Sequence, residues 1–273
     1  MPFDRNDRAL FDRSAEEYDA VRPGYPDELI EDLIDASGVP DGGAVLEIGC
    51  GTGQLTVPLA EMGYTITAVE LGWELSRLAA KNLERFPNAA VVCADFERWD
   101  VKPGAYDLVV SAQAFHWIEP AIGYPKVHFA LRPGGCLALI WNLYPGCGAP
   151  VHRALDEVYR ACAPRLAGTS ARPSLEARVE RTVREIVASG LFVAPDVHRY
   201  PWTRAYATAE YLKLLRTFSD HLARDPSDLD RLLANVRSTI DRFGGTIDRP
   251  QVATLFINRS WRRPCCEREP IRS

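Results

Sequence analysis

Apolar residues in the first half of the chain form short runs that alternate with amphipathic segments. The continuous runs predict strands at 44–48, 65–69, 89–93, 106–111 and 136–141. Apolar residues at helical spacing predict one helix before the first strand, at 27–36, and helices between the strands at 54–61 and 73–85. Because strands that alternate with helices pair in parallel, with the helices covering both faces, this pattern predicts a doubly wound sheet.

The pattern changes after residue 142. A segment rich in proline and glycine is followed by helical spacing over 150–190, a strand at 197–205, helices at 208–224 and 227–243, and a strand at 252–258. Asp225 or Ser227 is expected to cap the second of these helices. The whole chain therefore predicts an α/β Rossmann-like fold with a seven-stranded, mostly parallel sheet and helical insertions near its C-terminal end.

One helix breaks the expected pattern. Residues 119–131 should form the helix after the fourth strand, but Pro120, Gly123 and Pro125 interrupt it. Proline inside a helix removes a hydrogen bond and clashes with the preceding turn. We therefore expect this helix to be broken or shortened at Pro125.

Composition narrows the class of protein. The 273 residues are 47% hydrophobic and 25% charged, as in an ordinary globular domain. No apolar run approaches the ~20 residues of a membrane span, and the N-terminus lacks an apolar signal core, so we expect a cytoplasmic protein without a membrane partner. Seven cysteines without C-x-x-C spacing favour reduced thiols, and the scattered histidines predict no metal site.

Charge is unevenly distributed along the chain. The net charge is -5, but residues 1–150 hold 22 acidic and 11 basic side chains, whereas residues 151–273 hold 15 acidic and 21 basic ones. An acidic chain argues against a nucleic-acid partner. The basic second half is compatible with an anionic small substrate, although its arginines could equally be solvated surface residues.

A glycine turn follows the first strand. Gly49, Gly51 and Gly53 stand in the order G-x-G-x-G, Glu47 precedes them, and Glu70 ends the next strand 23 positions after Glu47. A buried strand, a glycine turn, a helix and a second strand ending in a carboxylate form a site for a nucleoside-containing cofactor.

The turn suits a cationic cofactor better than a dinucleotide. The dinucleotide fingerprint needs a glycine where Gln54 stands, and Glu47 would repel a pyrophosphate. S-adenosylmethionine carries a sulfonium and an ammonium group and no phosphate. We therefore predict S-adenosylmethionine as the cofactor, with S-adenosylhomocysteine as its product.

Residues 45–53, Val-Leu-Glu-Ile-Gly-Cys-Gly-Thr-Gly, are similar to the first motif of class I S-adenosylmethionine-dependent methyltransferases. The segments 106–117 and 131–135 resemble the fourth motif and the following turn of the small-molecule branch called type 11, and residues 11–26 resemble its lid helix. Trans-aconitate methyltransferases are similar members of that branch, and they also carry a His-Trp pair after the fourth strand. The resemblance covers about residues 8–142.

The resemblance implies a cofactor site in which Glu70 holds the ribose hydroxyls and Asp95 the adenine amino group, while Phe96 covers the ring. The implied cofactor-binding residues are Glu47, Gly49, Cys50, Gly51, Thr52, Gly53, Glu70, Leu71, Asp95, Phe96 and Ala112, with Tyr18 and Arg22 from the lid. Cys50 is interpreted as a small filler whose backbone is used. Arg22 is expected to pair with the cofactor carboxylate or an acidic substrate, or else to be solvated.

The predicted substrate pocket consists of Tyr25, Gln113, Phe115, His116, Trp117 and Trp141. His116 is the candidate catalytic residue, because a general base with its usual pKa could deprotonate a hydroxyl or amine. A carboxylate acceptor needs no base, so His116 could instead only shape the pocket wall. Both interpretations remain open.

These elements predict a small-molecule methyltransferase acting on a carboxylate or hydroxyl by in-line displacement. Two alternatives remain: a non-methylating reaction with the same cofactor, such as a cyclisation, or a non-enzymatic binding module. The predicted organisation is a lid at 1–26, a cofactor-binding core at 27–142, substrate cap helices with the last two strands at 143–262, and a loose tail at 263–273.

Overall fold

A single seven-stranded sheet forms the centre of the protein. In this computed structural model, the described residues are 11–166 and 174–259. The strands are β1 (Ala44–Ile48), β2 (Thr65–Glu70), β3 (Ala89–Cys93), β4 (Tyr106–Ala112), β5 (Leu131–Leu143), β6 (Asp196–Ala207) and β7 (Thr246–Arg259). Their order is β3-β2-β1-β4-β5-β7-β6, and β7 runs antiparallel to both of its neighbours. The predicted fold class, a mostly parallel seven-stranded sheet, is confirmed.

Helices cover both faces of the sheet. They are α1 (Ala15–Val21), α2 (Asp27–Ser37), α3 (Thr56–Glu61), α4 (Trp73–Asn82), α5 (Pro120–Ala130), α6 (Pro150–Cys162), α7 (Leu175–Ala188), α8 (Thr208–Leu215), α9 (Ser219–Leu222) and α10 (Pro226–Arg242). Within the described part of the chain, no helix combines the length and apolar character that crossing a bilayer would need.

The sheet reverses its winding direction beside β1. Strand β1 pairs in parallel with β2 on one side and with β4 on the other, so Ile48 lies opposite Val69 and Glu47 lies opposite both Ala68 and Val110. In open α/β sheets, ligands bind outside the carboxyl ends of the strands at such a reversal. The turn after β1 therefore lies where this fold places a ligand.

Three buried clusters stabilise the arrangement. One packs α2 and α3 against the sheet through Leu29, Leu33 and Leu59, and a second packs α5 and α7 against the other face. A third cluster joins α6, α8 and α10, and it includes Val21 of α1. Because α1 shares a core with the C-terminal helices, the lid and the predicted cap segment pack together.

The predicted break at Pro125 is wrong, because α5 continues through it to Ala130. Pro125 and Ala121, whose carbonyl would have accepted the missing N–H bond, both lie on the exposed side of the helix. Pro120 occupies the first turn, where no N–H donor is needed. Gly123 lies on the buried side, where a Cβ atom would come within 2.8 Å of Ile118 Cγ2.

Other boundaries differ in smaller ways. The predicted helix 208–224 is divided into α8 and α9, and both β5 and β7 extend beyond the predicted strands. Asp225 caps α10 as predicted, with its carboxylate accepting from Ser227 N at 2.9 Å. Residues 1–10, 167–173 and 260–273, which include Cys265 and Cys266, lie outside the described residues. The predicted domain division remains a prediction.

Candidate active site

The glycine turn is built by three left-handed residues. Gly49, Gly51 and Gly53 have φ values of 71°, 59° and 99°, which side chains other than glycine rarely adopt. Gly49 also lies against the turn after β4, where an added Cβ atom would approach the Ala114 Cβ atom to 2.3 Å. Both Gly49 and Cys50 donate their N–H groups to the Val69 carbonyl. The turn after β1 therefore lies close to the end of β2 and to the turn after β4, at the carboxyl edge of the sheet.

Glu70 holds the turn and the next loop together. Its Oε2 atom accepts from Gly51 N and its Oε1 atom accepts from Gly72 N, both at 2.9 Å. Burial raises the pKa of Glu70, while the backbone donors at Gly72 and Gly51 lower it. Each oxygen keeps a second lone pair, so the carboxylate can also accept from the two hydroxyls of a ribose.

Glu47 lies buried beneath the turn. Its Oε2 atom accepts a hydrogen bond from Thr56 Oγ1 at 2.6 Å. Burial raises the pKa of Glu47 to about 8, with a further contribution from the nearby Glu70. At neutral pH the side chain is therefore largely protonated, which differs from the permanently charged carboxylate that we expected from the sequence.

The small residues of the turn act through shape and backbone. Cys50 is buried, and burial raises the pKa of its thiol well above the usual range, in line with its interpretation as a filler. Thr52 is buried and its hydroxyl accepts from Gln54 Nε2 at 2.7 Å. The Thr52 carbonyl accepts from Asn82 Nδ2 at 2.9 Å, which connects the turn to α4.

The lid segment covers the turn. Tyr18 lies above Gly51, where its Cε1 atom is 3.2 Å from the position of an added Cβ atom. Phe11 packs edge-on against Trp117, with ring centroids 5.6 Å apart. Asp12 caps α4, because its Oδ1 atom accepts from Glu74 N at 2.6 Å. The role of Asp12 was missed by the sequence analysis, since its partners lie 62 positions away and no local pattern marks them.

Arg22 has a protein partner. Its Nε atom donates to Thr217 Oγ1 at 2.9 Å and its Nη2 atom donates to the Thr217 carbonyl at 2.5 Å. The guanidinium also lies over the rings of Tyr18 and Phe218. These contacts attach the lid to the segment between α8 and α9, and the expected pairing of Arg22 with a ligand carboxylate remains a prediction.

Asp95 and Phe96 follow β3. The Oδ1 atom of Asp95 accepts from Glu97 N at 3.0 Å, which fixes the turn. Phe96 is buried, and Lys126 Nζ lies 5.3 Å from its ring centroid. Leu71 lies partly exposed after β2, at the same edge of the sheet. The adenine role of Asp95 stays a prediction from the resemblance.

The predicted pocket residues surround the ends of β4 and β5. Trp141 Nε1 donates to His116 Nδ1 at 3.3 Å, and His116 packs against Trp117. Burial lowers the pKa of His116 to about 4, helped by the positive charges of Arg181 and Arg178. His116 is therefore neutral at pH 7, with the lone pair of Nδ1 engaged.

The backbone after β4 is strained at one position. Gln113 follows Ala112, and among the described residues it is the one residue other than glycine with a positive φ (61°). Its N–H donates to the Ile140 carbonyl at 2.8 Å. Such strain persists only where the surroundings determine it, and it commonly marks ligand sites. Phe115, by contrast, is buried against Tyr124 and belongs to the core.

The residues at the turn fit a cationic nucleoside. Glu47 and Glu70 are both buried within mutual electrostatic influence, and neither has a basic partner within salt-bridge distance among residues 11–166 and 174–259. A pyrophosphate would repel the ionised form of either carboxyl group, whereas a sulfonium or ammonium group would stabilise that form. Burial raises the pKa of Tyr25 well above its usual range, and the nearby Tyr18 and Glu47 raise it further.

Comparison with known proteins agrees with this geometry. Residues 45–135 match the family described as "Methyltransferase domain". The chain carries a methyltransferase domain. This match agrees with the predicted methyltransferase family for that part of the chain, and it supports the predicted enzyme class and S-adenosylmethionine as the cofactor.

Several relatives carry the same domain. An uncharacterized methyltransferase of Mycobacterium tuberculosis is 36% identical over 143 residues, which are 52% of this chain and 56% of the relative. A malonyl-[acyl-carrier protein] O-methyltransferase of Halalkalibacterium halodurans is 30% identical over 173 residues, or 61% and 62% of the two chains. The match thus spans little more than half the length of these curated relatives.

Solved structures share the fold. A protein of Anaeromyxobacter dehalogenans, described as a candidate type II methyltransferase, aligns with a TM-score of 0.60 at 24% identity, covering 88% of this chain and 97% of that one. A phosphoethanolamine N-methyltransferase of Haemonchus contortus in complex with S-adenosylhomocysteine aligns with a TM-score of 0.55 at 14% identity, covering 94% and 59%. At these identities the likeness concerns the fold of the methyltransferase domain.

Proposed function

We propose that the protein is an S-adenosylmethionine-dependent methyltransferase that methylates an oxygen, in a carboxylate or hydroxyl group, of a small molecule. The observation that carries this proposal is the Glu70 carboxylate, held between Gly51 N and Gly72 N at the carboxyl edge of β2. That arrangement presents a fixed acceptor for two adjacent hydroxyls beside a glycine turn.

The acceptor atom is inferred from two sources. Two relatives are named malonyl-[acyl-carrier protein] O-methyltransferases, and one is 30% and the other 36% identical over the aligned part. A neutral His116, whose Nδ1 atom already accepts from Trp141, is a poor general base. An acceptor that is ionised at neutral pH needs no base, which favours a carboxylate over a hydroxyl.

The chain's own residues supply alignment and exclusion of water. Bound S-adenosylmethionine would provide an activated sulfonium methyl group for in-line attack by an acceptor lone pair, with S-adenosylhomocysteine as the leaving group. Tyr18 and Phe11 of the lid cover the turn and the Trp117 wall, so a reaction there is shielded from solvent. Orientation of the two reactants can contribute about 7–11 kcal/mol of barrier reduction, without a charged catalytic side chain.

Two measurements test the proposal. Isothermal titration of the pure protein with S-adenosylhomocysteine should show one saturable site, which Glu70→Ala abolishes. Incubation of a cell extract with methyl-labelled cofactor should then yield a labelled small molecule that loses its label on mild alkaline hydrolysis if it is an ester. Absence of saturable binding would exclude the proposed cofactor chemistry, and label only in protein or nucleic acid would exclude a small-molecule acceptor.

A further inference from the structure

Three arginines converge near the lid, at the edge of the sheet that carries the glycine turn. Arg204 of β6 lies directly opposite Arg249 of β7 in the antiparallel register. The Nη1 atom of Arg204 donates to the Arg22 carbonyl at 3.4 Å, which brings both strands against the lid. Like charges directly opposite each other on neighbouring strands destabilise a sheet, so this pairing needs a compensating partner.

The described residues provide no such partner. None of the three guanidinium groups forms a salt bridge with a carboxylate of residues 11–166 or 174–259. Arg249 is held instead by aromatic rings, with its Cζ atom 5.0 Å from the Tyr144 centroid and 5.3 Å from that of Phe218. Its guanidinium makes no hydrogen bond within the same part of the chain, so the planar donors of this group remain available.

A buried hydroxyl lies in the same place. Tyr206 is 1% exposed, and its OH group has no hydrogen-bond partner among the described residues. Burial raises the pKa of Tyr206, while the positive charges of Arg204, Arg249 and Arg22 lower it, so all three guanidinium groups lie near this phenol. Leaving a buried hydroxyl unpaired destabilises the folded protein, and an acceptor atom of a ligand would relieve that cost.

We propose that Arg249, Arg204, Arg22 and Tyr206 form a subsite for an oxyanion of the methyl acceptor, a carboxylate or a phosphate group. The fork of Arg249 would donate two parallel hydrogen bonds to the anion, and the Tyr206 hydroxyl would donate a third. This inference rests on the proposed function, since it names the substrate class of the same active site.

A short series of side-chain contacts connects the proposed subsite to the glycine turn. Arg22 Cζ is 4.8 Å from the Tyr18 ring centroid and 4.7 Å from that of Phe218, which Arg249 also contacts. Tyr18 in turn lies over Gly51. An acceptor anchored by its anion at Arg249 would therefore extend from there toward the glycine turn, beneath the lid.

The test uses the full chain saturated with S-adenosylhomocysteine. Isothermal titration with glutarate, with inorganic phosphate and with the neutral glutaramide should show binding of an anion and none of the amide. Arg249→Gln should weaken binding of that anion by about 10- to 100-fold, as expected for loss of charge-assisted hydrogen bonds. Whichever of glutarate and phosphate binds more tightly identifies the carboxylate or the phosphate as the ligand group.

Matched variants separate the specific effect from net charge and folding. Arg199→Gln removes the same charge from an exposed position of β6 and should leave anion binding unchanged. Tyr206→Phe and Arg249→Lys should each weaken binding of the anion several-fold while the protein stays folded. If Arg249→Gln does not fold, these two variants test the subsite in its place. Failure of both anions to bind, or equal binding by all variants, would overturn the subsite. Failure of S-adenosylhomocysteine itself to bind would instead overturn the proposed function.

Discussion

The indole N–H of Trp141 donates to Nδ1 of His116 at 3.3 Å, which joins β5 to the short helical turn Phe115–Trp117 after β4. An imidazole whose Nδ1 atom accepts must carry its proton on Nε2. Burial, together with Arg181 and Arg178, lowers the pKa of His116 to about 4, so the ring is neutral over the physiological range. Trp141 and His116 therefore shape the side of the predicted substrate pocket, and His116 is poorly suited to act as a general base.

We expect His116→Gln to reduce kcat/KM by less than about tenfold, whereas loss of a general base removes about 100- to 10,000-fold. Glutamine can still accept from Trp141, so the wall keeps its shape. The measurement is methyl transfer to the identified acceptor between pH 5.5 and 8, where the wild type should show no ionisation due to His116. His198→Gln, on β6, is the control, and a thousandfold loss confined to His116→Gln would establish it as the base.

Glu47 should make stability depend on pH. Its folded pKa of about 8 lies above that of an unfolded glutamate, so its contribution is fully present below about pH 4 and is lost as pH rises toward 8. Glu47→Gln keeps an acceptor for Thr56 and removes the ionisation. We expect the variant to match the wild type at pH 5 and to exceed it by on the order of 3 kcal/mol at pH 8 in urea unfolding. Exposed Glu84→Gln should show no such divergence, and parallel curves for the wild type and Glu47→Gln would refute the assignment.

Gly49 and Gly63 form a matched pair for testing the turn. Both have positive φ, at 71° and 89°. An added Cβ atom at Gly49 would lie 2.3 Å from the Ala114 Cβ atom, whereas an added Cβ atom at Gly63 would have no described atom within 4 Å. Gly63→Ala should lose about 1 kcal/mol from backbone strain, and Gly49→Ala about 2–4 kcal/mol because overpacking adds to it. Urea unfolding measures both, and equal losses would show that the close approach at Ala114 is relieved without energetic consequence.

Glu70 should determine cofactor affinity. Glu70→Gln replaces one acceptor oxygen with a donor, which then faces the N–H of Gly51 or Gly72. We expect the affinity for S-adenosylhomocysteine to fall about 10- to 100-fold in isothermal titration, in line with loss of one or more hydrogen bonds to a charged group. Glu74→Gln, four residues further along in α4 and half exposed, provides the control. Unchanged affinity in Glu70→Gln would remove this carboxylate from the cofactor site.

Local patterns along the chain were sufficient to predict β1 to β4, the glycine turn and the carboxylate that ends β2. Each of these depends on neighbours within a few positions: apolar runs specify buried strands, and only glycine tolerates the left-handed turn. The cofactor was predicted from Gln54 at the position of the missing glycine and from the acidic residues Glu47 and Glu70 beside the turn, although burial in the folded protein leaves Glu47 largely protonated at neutral pH. The sequence thus determined the class of the domain.

Tertiary structure decided which distant residues meet. Arg22 finds Thr217 at a separation of 195 positions, Asp12 caps α4 from the lid, and Arg204 faces Arg249 only because β6 and β7 pair in one register. Pro125 remains helical because its missing hydrogen bond falls on the exposed side of α5, which depends on how that helix packs. Contacts between residues far apart in the chain arise from the packing of whole elements, and no local periodicity encodes them.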